Sequence, residues 1–168
     1  IRQASVFIQN IDKCEVISVE ERADMKAQAR FIRAFYYWKL LQKYGPIPLV
    51  LEDEGQDYMK PYDELYLPRN TYDECVEYIA SEMVEAAHYL PLKRETFNIA
   101  RPTKGAALGY RAKALLYAAS PLMNGNNDGY AVSLVDDKGN RLLNPVYDEK
   151  KWAKAAAAAR DIMELLGD

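Results

Sequence analysis

The sequence predicts an all-α fold with long irregular loop insertions. Two stretches open with a capping box, a Ser or Thr followed three residues later by Glu, and continue with apolar residues at helical spacing. The last stretch, WAKAAAAARDIMELLGD, is an alanine-rich helix. Two polar connections, at about 51–70 and 120–148, interrupt the helices. Because the chain has 168 residues, we expect a single domain over 1–168.

The first predicted helix occupies the opening stretch IRQASVFIQNID. Ile1, Ile8 and Ile11 recur there at helical spacing, with Ala4 or Ser5 between them. No capping residue precedes Ile1, so the pattern begins inside an element. We therefore expect the sequence to be an internal piece of a longer chain.

The second predicted helix begins with the capping box of Ser18 and Glu21 and runs to about Tyr44. Gly45 is the expected terminating residue, and Pro46 prevents continuation, which leaves 47–50 extended. One face of this helix is apolar and is predicted to be core rather than a ligand contact. That face comprises Ala27, Phe31, Ala34, Phe35, Trp38 and Leu41.

The connection at 51–70 shows no helical period and is predicted to be a loop or lid. It holds Tyr58, Tyr62, Asp63 and Tyr66 among prolines and carboxylates. An amphipathic ring beside carboxylates and amides suits the apolar face and the hydroxyl rim of a sugar. The alternative, that these tyrosines hold the loop against the helices, remains open.

Two further helices follow. Thr71 and Glu74 form a second capping box, and an apolar stripe continues to Pro91. Thr103 caps a helix over 104–119. The small side chains along one side of this helix are predicted to let a neighbouring helix approach closely. That side comprises Gly105, Gly109, Ala112, Leu116 and Ala119.

The connection at 120–148 departs from helix chemistry, and residues 137–140 predict a tight turn. Asn126, Asn127 and Tyr130 are a second set of candidate ligand contacts. The Asp side chains here lack the spacing of a calcium loop, which favours ordinary turns. In the final helix, the predicted apolar face comprises Trp152, Ala156, Ala159 and Met163.

Composition and motifs exclude several classes of function. A net charge of −3 provides no basic field for nucleic acid. The single histidine, His88, has no nucleophile motif or second histidine for a metal around it, and no Gly-rich phosphate loop is present. Cys14 and Cys75 are expected to be buried thiols. We therefore expect no catalytic residue, no metal and no cofactor, and no apolar run is long enough to cross a bilayer.

One stretch carries a family resemblance. ARFIRAFYYWKLLQKYGPIPLV, residues 29–50, resembles the signature of the SusD/RagB family of glycan-binding outer-membrane lipoproteins. The signature residues are Arg30, Arg33, Trp38, Tyr44, Gly45, Pro46 and Pro48. IRQASVFIQNID, RPTKGAALGYRAKALLYAA and YDEKKWAKAAAAARDIMELL are similar to further family stretches, in the family's order.

The resemblance implies tetratricopeptide-like helical hairpins with the ligand site on loop insertions. It implies a non-enzymatic protein at the cell surface that binds oligosaccharides or polysaccharides for uptake through a SusC-like TonB-dependent outer-membrane transporter. Its lipid anchor is absent from this sequence, because Cys14 resembles no lipobox, and Ser5 replaces a family asparagine. We further expect Arg30 and Arg33 to pair with acids on a neighbouring helix.

Two other functions remain as alternatives. A tetratricopeptide-like protein-interaction module would bind a peptide on its concave face, although the usual repeat consensus is poorly matched. An all-helical glycosidase would need two facing carboxylates, and the many acids at 51–70 do not single out a pair.

Overall fold

Five long helices dominate the chain. The computed structural model describes residues 1–50 and 61–167. The α-helices are α1 Arg2–Asn10, α2 Val19–Tyr44, α3 Tyr62–Leu65, α4 Tyr72–Tyr89, α5 Lys104–Ala119, α6 Gly129–Ser133 and α7 Lys150–Gly167. Single 3₁₀ turns occupy Ile11–Lys13 and Thr96–Asn98. Within the described ranges no strand forms beyond an isolated bridge between Val135 and Arg141, so the all-α prediction is confirmed.

Each long helix packs against the next one along the chain, in the order α1, α2, α4, α5, α7. The contacts run antiparallel: on α2 and α4, Tyr37 meets Tyr78 near the end of one helix and the start of the other, and Arg33 meets Glu82 farther along. A succession of antiparallel hairpins, each touching mainly its neighbours, is the arrangement of tetratricopeptide-like arrays.

The core has two clusters, one toward each end of this array. The first surrounds Trp38 on α2 and Ile79 on α4, and the second surrounds Met83 on α4 and Ala107 on α5. Edge-to-face aromatic pairs hold α2 against α5, including Trp38 with Tyr117, whose ring centroids lie 5.2 Å apart. The predicted apolar face of α2 is therefore core, with Phe31 and Phe35 at its half-buried margin.

Both predicted capping boxes are present. The Ser18 hydroxyl accepts from the Glu21 N–H at 3.1 Å, and the Glu21 carboxylate accepts from the Ser18 N–H at 3.2 Å. Thr71 and Glu74 exchange the same two bonds at the start of α4. Gly45 ends α2 with φ of 68°, a conformation that side-chain-bearing residues avoid.

The capping box of α4 predicts an acid dependence of stability. The Thr71 N–H, and then its hydroxyl, hold the pKa of Glu74 below its usual value. A lowered folded pKa contributes stability above the unfolded pKa of about 4.3 and loses it as the pH falls through the folded value. Glu74→Gln retains a cap but not the charge, so we expect it to be about 0.5–1 kcal/mol less stable than wild type at pH 7.

Urea unfolding at a series of pH values measures this difference, which should shrink toward zero in acid. Glu77→Gln, on the same helix with a largely exposed side chain, is the control and should show a small, nearly constant difference. A gap between wild type and Glu74→Gln that is independent of pH would contradict the assignment.

The predicted face of α7 is wrong, and of the predicted side of α5 only Ala119 is among the buried residues. The buried residues of α5 are Ala107, Ala114, Ala118 and Ala119, whereas Leu116 is 49% exposed. On α7 the buried residues are Ala155 and Ala158, whereas Trp152 and Met163 are 42% and 72% exposed. Alanine and glycine occur on several faces of these helices, so hydrophobicity offers little contrast, and the neighbouring helices decide which face is covered.

The prediction of an irregular segment at 51–70 also needs correction over its second half. Residues 62–65 form the single helical turn α3, with Pro61 at its N-cap and two acids in its first turn. A four-residue helix is too short to show a period in the sequence. Residues 51–60 lie outside the described ranges.

Candidate functional site

The segments after α2, before α4 and after α5 meet at one end of the helical array, here called the loop end. The Asn70 N–H donates to the Ile47 carbonyl at 3.1 Å, and the Tyr72 N–H donates to the Leu142 carbonyl at 2.9 Å. Ile47, Leu142 and Leu143 are buried, so the loop end is attached to the hydrophobic core.

The segment 47–50, which the sequence predicts to be extended, is held by side chains. The Leu49 N–H donates to Asn70 Oδ1 at 2.9 Å, and the Val50 N–H donates to the Tyr37 hydroxyl at 3.0 Å. These bonds satisfy backbone groups that a strand would satisfy in a sheet. The segment is thus fixed in place with no strand beside it among the described residues.

A tight turn lies opposite this segment, as residues 137–140 predict. The Asp136 carboxylate accepts from the N–H groups of Lys138 and Asn140 at 2.9 and 2.7 Å, and from Asn140 Nδ2 at 2.9 Å. The Asn140 side chain, and then its N–H, lower the pKa of Asp136. Gly139 closes the turn with φ of 82°. Over 1–50 and 61–167, no group of acids, His or Cys is arranged to hold a metal ion.

An inter-loop groove of about 580 Å³ separates the segment before α4 from this turn. It is lined by Leu49, Leu67, Pro68, Arg69, Asn70, Thr71, Glu74, Tyr78, Asp136, Asn140, Arg141 and Leu142. Leucine and proline side chains provide apolar surface, while amides, carboxylates and guanidinium groups provide polar contacts. Such a mixture suits a ligand with both C–H faces and hydroxyl groups.

Of the first predicted ligand set, Tyr66 is the ring that the structure describes. It is 52% exposed, and its hydroxyl donates to the Asp137 carboxylate across the mouth of the loop end. Asp63 is exposed on α3. Tyr58 lies outside the described residues, and so does the side chain of Tyr62.

The second predicted set bonds mainly within its own loop. The Tyr130 hydroxyl donates to the Leu122 carbonyl at 2.7 Å, and Asn126 Nδ2 donates to the Tyr130 oxygen at 3.3 Å. Asn127 Nδ2 donates to the Pro145 carbonyl at 3.0 Å. Their polar groups thus shape the loop. None of the predicted residues that the structure describes lines the groove itself.

The sequence analysis missed the two arginines of the groove. Arg141 donates to Asn127 Oδ1 at 2.9 Å and to the Asn126 carbonyl at 3.2 Å, so it links the second predicted set to the groove. Arg69 donates to the Val135 carbonyl at 2.7 Å. Arg141 follows the turn and Arg69 precedes the α4 cap, and both of those features are recognisable in the sequence. The residues to which the two arginines donate are distant in sequence, so no local pattern indicated their role.

The signature residues of α2 are mainly structural. Arg33, Trp38 and Pro46 are buried, whereas Tyr44 and Pro48 are exposed. Arg30 and Arg33 each donate to Glu82 of α4 at 2.6 Å, so the predicted ion pairs with a neighbouring helix are confirmed.

A second groove, of about 530 Å³, lies between α4, α5 and α7. Its floor includes Val76 and Leu115, and ion pairs cross its rim, with Lys151 at 2.5 Å from Asp73. No helix in the described part of the chain is long and apolar enough to span a bilayer.

Comparisons with known proteins connect this architecture to a family. A SusD-like family model, described as starch-binding and associating with the outer membrane, matches residues 1–116. The SusD-like protein P25 of Formosa agariphila is 26% identical over 113 residues, which are 67% of this chain and 20% of that protein.

Solved structures show the same fold. BT4246 is 32% identical with a TM-score of 0.84, over 97% of this chain and 28% of its own. A SusD-like protein from Bacteroides fragilis, BF3747, has a TM-score of 0.70 at 18% identity, over 98% of this chain and 25% of its own. The matched stretches thus span 20% to 28% of the lengths of these relatives.

Proposed function

Because the chain belongs to the SusD-like family, we propose that it is a helical domain over 1–168 of a non-enzymatic protein that binds oligosaccharides or polysaccharides for uptake. The proposed position is the cell surface at the outer membrane, through a lipid anchor outside this sequence. The proposed partner is a SusC-like TonB-dependent transporter. The starch-binding description of the family model supports the ligand class.

The observation that carries the proposal is the inter-loop groove. It is an open, mixed apolar and polar groove built by the two long connections, and it is attached to a rigid helical core. Loops on a stable scaffold are the common place for binding residues. Tyr58, Tyr62 and Tyr66 are proposed as rings that stack on the sugar, and Asn126, Asn127 and Tyr130 as residues that shape the loop behind Arg141.

The carboxylates of the groove support binding without catalysis. Glu74 is held in the α4 capping box, and Asp136 is held in its turn. Local hydrogen bonds lower the pKa of both. A general acid in glycoside hydrolysis needs a raised pKa and a free carboxyl group facing a second one.

Retardation of the protein in gels loaded with a panel of neutral and acidic polysaccharides tests the proposal. We expect retardation by at least one glycan, with no reducing ends released. Tyr66→Ala should weaken that binding about tenfold, equivalent to about 1.4 kcal/mol. Tyr89→Ala is the matched control, because Tyr89 is similarly exposed at the opposite end of the array.

Binding that survives both Tyr66→Ala and the triple change of Tyr58, Tyr62 and Tyr66 to Ala would move the site to 124–130 or outside this chain. The absence of retardation by every glycan would contradict the proposed function. The groove between α4, α5 and α7 then favours a protein-interaction module, which should bind peptides and ignore saccharides.

A further inference from the structure

The inter-loop groove carries two arginines with no carboxylate partner among the described residues, and we infer from them that its ligand is an acidic glycan. A uronate carboxylate or a sulfate ester on the sugar would lie between Arg69 and Arg141. The inference rests on the proposed function and specifies the class of glycan that the groove takes.

The backbone brings these arginines together although they are distant in sequence. Arg69 Nη2 donates to the Val135 carbonyl at 2.7 Å. Val135 is paired with Arg141 in the isolated antiparallel bridge. Both side chains line the same groove. Two cationic groups therefore flank one open space.

Neither arginine forms an ion pair within the described part of the chain. The acceptors of Arg69 and Arg141 there are the Val135 and Asn126 carbonyls and the Asn127 amide oxygen, all uncharged. Arg141 Nε is buried and has no hydrogen-bond partner among the described atoms. Arg94, by contrast, pairs with Asp24 at 2.7 Å.

The two acids of the groove, Glu74 and Asp136, form no ion pair with Arg69 or Arg141. Glu74 accepts from the Thr71 N–H at 2.7 Å, and Asp136 accepts from the Asn140 N–H at 2.7 Å. Each carboxylate is thus directed into the local backbone that it stabilises. Asp137, in the turn itself, accepts from the Tyr66 hydroxyl.

An oxyanion fits this arrangement better than a hydroxyl group does. The guanidinium fork matches the planar geometry of a carboxylate and also the oxygen atoms of a sulfate, with charge-assisted hydrogen bonds. The amides of Asn70 and Asn140 line the same groove and suit the uncharged hydroxyl groups of the ring.

Two pairs of polymers with matched backbones test the inference: polygalacturonate against its methyl ester, and dextran sulfate against dextran. At low salt we expect at least one charged member to bind about tenfold or more tightly than its neutral partner, and this preference should fall as salt rises. The pair that shows the preference identifies the carboxylate or the sulfate as the source.

Arg69→Gln should weaken binding of the charged polymer about tenfold and leave the affinity for the neutral polymer unchanged. Arg141→Lys keeps the charge without the fork and should give a smaller loss. Arg160→Gln is the control, because Arg160 is an exposed residue of α7 paired with Glu164. Circular dichroism checks that each variant retains its helices, and Arg69, being exposed, is the position where folding is least at risk.

Equal affinity for the charged and neutral members, or an unchanged affinity in Arg69→Gln, would overturn the inference. If some other glycan of the wider panel still binds, the proposed function stands and only the inference of an acidic ligand fails. If no glycan binds, both the inference and the proposed function fail.

Discussion

Replacing Glu82 by glutamine is expected to lower the free energy of unfolding by about 3–5 kcal/mol. Glu82 receives Arg30 and Arg33 at 2.6 Å each, and the Arg33 and Glu82 side chains are 1% and 11% exposed. The substitution removes the anion that these two cations share between α2 and α4. Removing one partner of a buried ion pair is costly because the remaining charge stays desolvated.

Urea denaturation followed by circular dichroism measures this loss. Glu77→Gln is the matched control: it lies on the same helix, 76% of its side chain is exposed, and its distance to Lys154 is 3.7 Å. That change should cost less than about 1 kcal/mol. Equal losses in Glu82→Gln and Glu77→Gln would show that the buried arginines do not depend on Glu82.

Trp38→Ala is expected to cost about 3–5 kcal/mol, because it empties the largest position of the first core cluster. Trp38 is 1% exposed and packs edge-to-face on Tyr117, so it joins α2 to α5. The chain contains two tryptophans, which allows a direct comparison. Trp152→Ala should cost far less, since Trp152 is 42% exposed on α7.

Helix content measured against urea or temperature avoids the loss of fluorescence that either change causes. A stability of Trp38→Ala close to that of Trp152→Ala would contradict the assignment of Trp38 to the core. Because Ile47 and Leu143 belong to the same cluster, we also expect Trp38→Ala to loosen the walls of the inter-loop groove. The rigid helical array thus supports the groove through shared buried residues.

The amino-acid sequence by itself determined where α2 and α4 begin and where α2 ends. Ser18 and Thr71 each bond to a glutamate three residues later, and Gly45 takes a positive φ that other residues avoid. These interactions are local, so a short stretch contains both partners. The sequence also predicted the apolar face of α2, because the large aromatic residues on that face contrast with the charged residues on the other.

The tertiary structure alone decided which faces of α5 and α7 are covered and where the groove lies. Ala155 and Ala158 are buried because α5 lies against them, and their own residue type distinguishes them little from the alanines beside them. Arg69 and Arg141 share a groove through contacts that span 66 residues or more of the chain. Such contacts depend on how the helices pack, and no local pattern encodes them.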